Sequence, residues 1–248
     1  MSRKRAIVEP PLTASRRLCR FCVRGIMGGL VRAVADVKLE GIQGVPEKGP
    51  LLVVMNHLGL MDGPAILAGF PRQLEGIVDA EMFRVPVLGK LLDWYGLVSV
   101  KRGEFDRQVL TRAKAILESG RALAISPEAG ISETGALRKA RAGAAYLAVL
   151  AKAPILPVAI TGTERVHGLW DSTVGKVSFR GSEYLAFWRA KRPRLQIKLA
   201  FGQPFDLKAA GQSWRERRRA LGSATDEIMG RIADLLPSSY RGAYLEER

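Results

Sequence analysis

His57 and Asp62, in the stretch Asn56-His-Leu-Gly-Leu-Met-Asp-Gly63, are the residues best equipped for chemistry. The chain has two histidines, and this one follows the apolar run Leu51-Leu-Val-Val-Met55. An imidazole at the exit of a buried strand, with a carboxylate shortly after it, can take a proton from a hydroxyl. Asp62 also precedes Gly63-Pro64-Ala-Ile-Leu-Ala68, so it is placed to cap a helix whose second position is Pro. His57 then projects from the loop between strand and helix. An N-cap aspartate beside an incidental loop histidine is the plainer alternative.

Three further segments repeat the pattern of an apolar run that ends on polar groups. Gly96-Leu-Val-Ser-Val-Lys-Arg-Gly103 predicts a short strand ending in Lys101 and Arg102, with a helix starting near Glu104. Two cations beside a helix N-terminus suit a phosphate; a solvated basic turn has the same pattern. Ile125-Ser-Pro-Glu-Ala-Gly-Ile-Ser132 sets Glu128 at the carboxyl end of another strand. Ala153-Pro-Ile-Leu-Pro-Val-Ala-Ile-Thr-Gly162 is an apolar strand bracketed by prolines that meets Thr161 and Gly162 at its end. Four such ends converge at one edge of a parallel sheet, where α/β folds place their ligands.

The elements that must position these groups alternate along the chain. Strands are expected near 36–40, 51–55, 75–79, 97–100, 122–126, 155–160 and 195–201. Helical patterns fill 63–69, 86–94, 104–119, 141–151 and 213–235. This alternation predicts an α/β fold with a central, largely parallel sheet flanked by helices. Residues 1–40 read as a basic tail and an amphipathic N-terminal helix, and 41–248 as one domain.

The N-terminal pattern runs from about Thr13 to Val37. Leu18, Phe21, Cys22, Ile26, Leu30 and Val34 share one stripe, while Arg16, Arg20 and Arg24, with Arg17 beside them, share another face. A helix of this kind lies in a membrane interface or packs as an ordinary surface helix on the core. Gly25, Gly28 and Gly29 weaken it and mark a candidate break.

A formal net charge of +15 implies an anionic partner: nucleic acid, an anionic membrane surface, or an acidic carrier or substrate. No apolar run approaches the roughly 20 residues that span a bilayer. Two cysteines, Cys19 and Cys22, form no disulfide framework, and no secretory signal follows the basic N-terminus, so a cytoplasmic setting is expected. Their C-x-x-C spacing lacks the second pair of a zinc site, and His167 stands outside any paired pattern. Residues 168–194 interleave aromatics such as Trp170, Phe187 and Trp188 with arginines and lysines. That pattern suits a membrane-interface loop, a nucleic-acid surface or a long connection folded on the core. Nucleic-acid binding accounts for the charge but not for His57, Asp62 and Glu128, and no recognition signature is present.

Taken in order, the four segments resemble the phospholipid/glycerol acyltransferases of the 1-acylglycerol-3-phosphate O-acyltransferase type. The His-x4-Asp block matches at His57 to Asp62, the strand ending in Arg at Gly96 to Arg102, the Pro-Glu block at Pro127-Glu128, and the proline-bracketed block at Pro154 to Val158. The ending Leu236-Pro-Ser-Ser-Tyr-Arg-Gly-Ala-Tyr244 looks like that of bacterial members.

The resemblance implies transfer of a fatty acyl group from a thioester to a glycerolipid hydroxyl, most simply that of 1-acylglycerol-3-phosphate, without metal or cofactor. It implies His57 as general base and Asp62 as the acid that orients it. Lys101 and Arg102 would grip the acceptor phosphate, Glu128 would bond the glycerol backbone, and N–H groups near Gly130 would stabilise the oxyanion. The donor would be acyl-CoA or acyl carrier protein, and the enzyme would sit peripherally on the cytoplasmic face of the cell membrane.

Two departures stand out. The family's Pro-Glu-Gly-Thr-Arg-Ser is here Pro127-Glu-Ala-Gly-Ile-Ser132, so Ile131 occupies the arginine's place; Arg138, Lys139 or Arg141 are near enough in sequence to substitute. Lys101 also stands where an aspartate is common. Either the phosphate is bound differently or the acceptor is not lysophosphatidate.

Overall fold

The computed structural model describes residues 13–101, 106–164, 194–207 and 214–245. Arg102, His167, the first twelve residues and all of 168–193 lie outside them. The chain opens on helix α1 (Ala14–Val34), which passes directly into strand β1 (Ala35–Glu40). Then come β2 (Leu51–Met55), α2 (Asp62–Gly69), β3 (Leu74–Asp79), the one-turn α3 (Ala80–Phe83), α4 (Leu88–Tyr95) and β4 (Val98–Val100). The described remainder holds α5 (Arg107–Glu118), β5 (Ala122–Ile125), α6 (Gly143–Ala151), β6 (Ile155–Thr161), β7 (Leu195–Phe201) and α7 (Trp214–Asp234).

The strands form one sheet in the order β1-β7-β6-β2-β5-β3-β4. From β6 to β4 all neighbours are parallel. β7 runs antiparallel to β6, and β1 runs parallel to β7, so these two oppose the other five. The expected α/β fold with a largely parallel sheet is therefore the observed one. β1, within the first 40 residues, pairs along its length with β7.

Burial explains the apolar runs. Alternate residues of β2 face opposite layers: Leu52 and Val54 join α5, α6 and α7, and Leu51 and Val53 join α1 and α2. All four are fully buried, each worth roughly 1.5–3 kcal/mol of transfer free energy. A central strand covered on both faces has no polar side, which is why it reads as a continuous apolar run rather than an alternation.

The N-terminal helix forms as expected, without the candidate break. It is continuous through Gly25, Gly28 and Gly29, with buried Gly28 against α2, because packing rather than propensity holds a long helix. Two arginines of its basic face, Arg20 and Arg24, turn inward, while Arg16 and Arg17 stay exposed. Arg20 is 1% exposed and donates to Glu75 at 3.0 Å and to the Tyr95 carbonyl at 2.7 Å, while Arg24 donates to the Phe70 carbonyl. Arg121 reaches the same Glu75 oxygen at 2.6 Å, so the buried carboxylate is doubly paired. Satisfied partners offset the desolvation of such a pair, and losing one would leave a buried charge uncompensated. The apolar stripe, Leu18, Phe21, Ile26 and Leu30, is left outside.

Candidate active site

β2, β5 and β6 are adjacent and parallel, so their carboxyl ends open on one edge, and the chain segments that follow them build the site. Asn56, buried directly after β2, spans to β6: its Nδ2 donates to the Ile160 carbonyl at 2.8 Å and its Oδ1 accepts the Ile160 N–H at 2.7 Å. The side-chain amide thus extends the strand pairing one step beyond Met55 and fixes where His57 leaves the sheet.

His57 and Asp62 meet, with Nδ1 and Oδ2 2.7 Å apart. The carboxylate has no solvent exposure and the imidazole side chain a quarter of its surface. Oδ2 also accepts the N–H groups of Leu58 at 2.7 Å and Gly59 at 2.9 Å. Oδ1 accepts the hydroxyl of Thr163, from the turn after β6. The expected helix cap is corrected here: Asp62 opens α2 behind Met61, and its side chain is aimed back at the His57 loop instead of at the helix N–H groups. A carboxylate that already accepts three hydrogen bonds favours the imidazole tautomer with hydrogen on Nδ1, which leaves the lone pair on Nε2. That nitrogen is the proton acceptor the site presents.

Glu128 is also buried, and neither oxygen is idle. Oε1 accepts the His57 N–H at 3.0 Å, and Oε2 accepts the Arg138 N–H at 2.8 Å. Burial pushes its carboxyl pKa above the ordinary value, while the two N–H donors pull it back. The His57 carbonyl in turn accepts the Ser132 N–H at 2.8 Å. His57 is therefore gripped at backbone N–H, backbone carbonyl and Nδ1.

The Pro127–Ser132 turn carries Ala129 at φ 54°, a left-handed conformation that a Cβ disfavours. Among the described residues, the N–H groups of Gly130 and Ile131 have no protein acceptor. Arg138 Nη1 donates to the Ile131 carbonyl at 3.0 Å and lies 3.2 Å from where a Gly130 Cβ would stand. Its guanidinium thus occupies the turn at the residue where the resemblance expects an arginine. Arg141 is exposed and held beside the turn by its N–H, which donates to the Pro127 carbonyl at 2.9 Å. Lys101 is exposed at the end of β4; Arg102 lies outside the described residues.

Sequence reasoning gave Asn56 and Thr163 no assigned role in the site, and named Arg138 only as one of three candidates to replace the missing arginine. The first had a visible signal, a polar residue ending an apolar strand immediately before the histidine. Thr163 had only its place after the proline-bracketed strand. Gly162 beside it is required: at φ 90°, an added Cβ would stand 1.9 Å from the Gln196 carbonyl.

Comparison with known proteins converges on one family. A family model described as Acyltransferase matches residues 36–161, about half of the chain. The 1-acyl-sn-glycerol-3-phosphate acyltransferase of Pseudomonas aeruginosa is 28% identical over 146 residues, which cover 57% of this chain and 54% of that protein. The chloroplastic 1-acyl-sn-glycerol-3-phosphate acyltransferase of Arabidopsis thaliana is 26% identical over 133 residues, 52% of this chain and 37% of its own length. The chain thus spans about half the length, or less, of these relatives. The crystal structure of the 1-acyl-sn-glycerophosphate (LPA) acyltransferase PlsC from Thermotoga maritima matches with a TM-score of 0.58 and 22% identity, over 88% of this chain and 83% of that one. This last likeness is one of fold.

Proposed function

The chain belongs to the acyltransferase family, and on that premise we propose that it transfers a fatty acyl group from an acyl thioester to the free hydroxyl of a lysoglycerophospholipid. The observation that carries the reading is the His57 imidazole, with Nδ1 bound to a fully buried carboxylate and Nε2 left to a substrate. The acceptor hydroxyl gives its proton to Nε2 as its oxygen attacks the thioester carbonyl. The N–H groups of Gly130 and Ile131 receive the oxyanion. Collapse breaks the carbon–sulfur bond, and the imidazolium returns its proton to the departing thiolate. Asp62 stabilises the imidazolium between the two steps. No nucleophile from the protein is required.

The acceptor in this proposal is 1-acylglycerol-3-phosphate, and the product is phosphatidic acid. The names of the two relatives support it, as do the exposed Lys101, Arg138 and Arg141 near the strand ends. Arg138 takes over the phosphate contact that Ile131 lacks, because its guanidinium lies on the same turn and uses one donor on the Ile131 carbonyl. Lys101 and Arg141 add positive charge on the same domain. The donor is an anionic thioester, acyl-CoA or acyl carrier protein.

No described helix is long and apolar enough to cross a membrane. Docking is therefore assigned to the outer face of α1, where Phe21 is 76% exposed beside Leu18, Ile26 and Leu30. Trp94, on the α4 helix that packs against α1, is likewise exposed, at 69%. Exposed Arg16 and Arg32 on α1 suit an anionic cytoplasmic leaflet.

Purified protein assayed with both donors against phosphorylated and unphosphorylated lyso-acceptors tests the reading. Phosphatidic acid formation is expected to dominate, and Arg138→Gln is expected to erase the advantage of phosphorylated acceptors. Equal rates on monoacylglycerol would overturn the choice of acceptor, and absence of transfer to every acceptor would overturn the activity.

A further inference from the structure

Tyr240 lies in the tail beyond α7, on a single 3₁₀ turn (Ser238–Tyr240), well separated in sequence from the site. Its hydroxyl donates to Glu164 Oε1 at 2.7 Å, and Glu164 Oε2 accepts the Gly162 N–H at 2.9 Å. The intervening Thr163 donates to Asp62, and Asp62 holds Nδ1 of His57. The backbone carbonyl of Tyr240 starts a second path. That oxygen accepts the Leu137 N–H at 2.8 Å, the next N–H along, of Arg138, goes to Glu128 Oε2, and Glu128 Oε1 takes the His57 N–H. The two paths leave one tail residue and meet again on one histidine.

We infer that Tyr240 is a positioning residue that closes a hydrogen-bonded ring around His57, so the tail sets the orientation of the base. The inference rests on the reading of His57 as that base. One path orients the imidazole through the carboxylate, and the other fixes the backbone from which the imidazole hangs. His57 sits in a loop between strand and helix, where a small displacement of the reacting nitrogen costs much of the rate. Hydrogen-bond networks of this kind act together, and a break in one link loosens the others. Tyr244 supplies the contrast: its hydroxyl accepts the Ala140 N–H at 3.1 Å, a tail-to-loop bond outside the ring.

Tyr240→Phe cuts the hydroxyl path and keeps the carbonyl path; Glu164→Ala cuts the same path one link further in. Because the chain has two histidines, the imidazole nitrogen resonances of the full-length protein labelled with ¹⁵N-histidine read His57 directly. Both variants are expected to shift the His57 Nδ1 signal and lower kcat about fivefold or more, the size of a lost hydrogen bond, with KM nearly unchanged. Tyr244→Phe is expected to leave signal and kcat at wild type. The inference is overturned if Tyr240→Phe keeps the wild-type spectrum and kcat, or if the two tyrosine variants lose activity alike in step with thermal stability. Should His57→Ala retain transfer, the base assignment would fall, while the spectrum would still report whether the ring exists.

Discussion

Thr163 donates its hydroxyl hydrogen to Oδ1 of Asp62 across 101 residues of chain, while Oδ2 of the same carboxylate turns to His57. Thr163 lies just after β6 and Asp62 opens the helix that follows β2, so the parallel pairing of those strands is what brings them together. Thr163→Val keeps the shape and removes the donor. Folding stability should fall by about 1–3 kcal/mol, the range for a buried acceptor losing its partner, and kcat should fall with it. Thr163→Ser should recover most of both, measured by chemical denaturation and initial rates.

Ala129 at φ 54° is a second local consequence of the site's architecture. Glycine adopts that conformation without the Cβ clash, and the resembled family carries glycine there. Ala129→Gly should raise stability by roughly 0.5–1 kcal/mol, the left-handed strain relieved less the entropy glycine loses on folding. A denaturation midpoint at or below wild type would contradict this.

Glu128 predicts a pH signature. Burial holds its folded-state pKa above that of the unfolded chain, so the folded protein keeps this proton to higher pH. Its contribution is complete below the ordinary carboxylate pKa and is lost as pH rises through the raised value. Glu128→Gln removes the titration. The difference in melting temperature, wild type minus variant, should shrink as pH climbs from the ordinary carboxylate range toward neutrality. Calorimetry showing parallel pH profiles would refute it.

The inverted helix α1 makes a prediction of its own. Phe21→Asp places a charge at the centre of the outer apolar face, opposing burial worth roughly 1.5–3 kcal/mol for a phenylalanine. Sedimentation with anionic vesicles should fall about tenfold or more, while transfer between short-chain, water-soluble substrates stays at the wild-type rate. Unchanged sedimentation would remove this face from the docking surface.

These features differ in how visible they were from sequence. Leu51–Met55 and Ile155–Thr161 announced buried parallel strands, because a strand covered on both faces has no polar alternation. His57 and Asp62 announced themselves by lying close together after one of them. Helix α1 shows the limit: Arg20 and Phe21 define two faces unambiguously, yet periodicity does not say which face the fold covers. The usual assumption puts the apolar stripe inside, whereas Glu75 and the Tyr95 carbonyl draw Arg20 inward. Thr163 and Tyr240 were hidden for another reason, since their bonds to the site are made by topology and leave no local pattern. Glu128 was legible as a site residue, but its two oxygens turned out to accept backbone N–H groups of the site loops.

The most direct test of the central claim is acyl transfer by His57→Ala, assayed with a thioester donor and 1-acylglycerol-3-phosphate beside a vesicle-binding measurement on the same preparation. Loss of a general base predicts a fall in kcat on the order of a thousandfold, with vesicle binding preserved. Transfer at the wild-type rate would contradict the account.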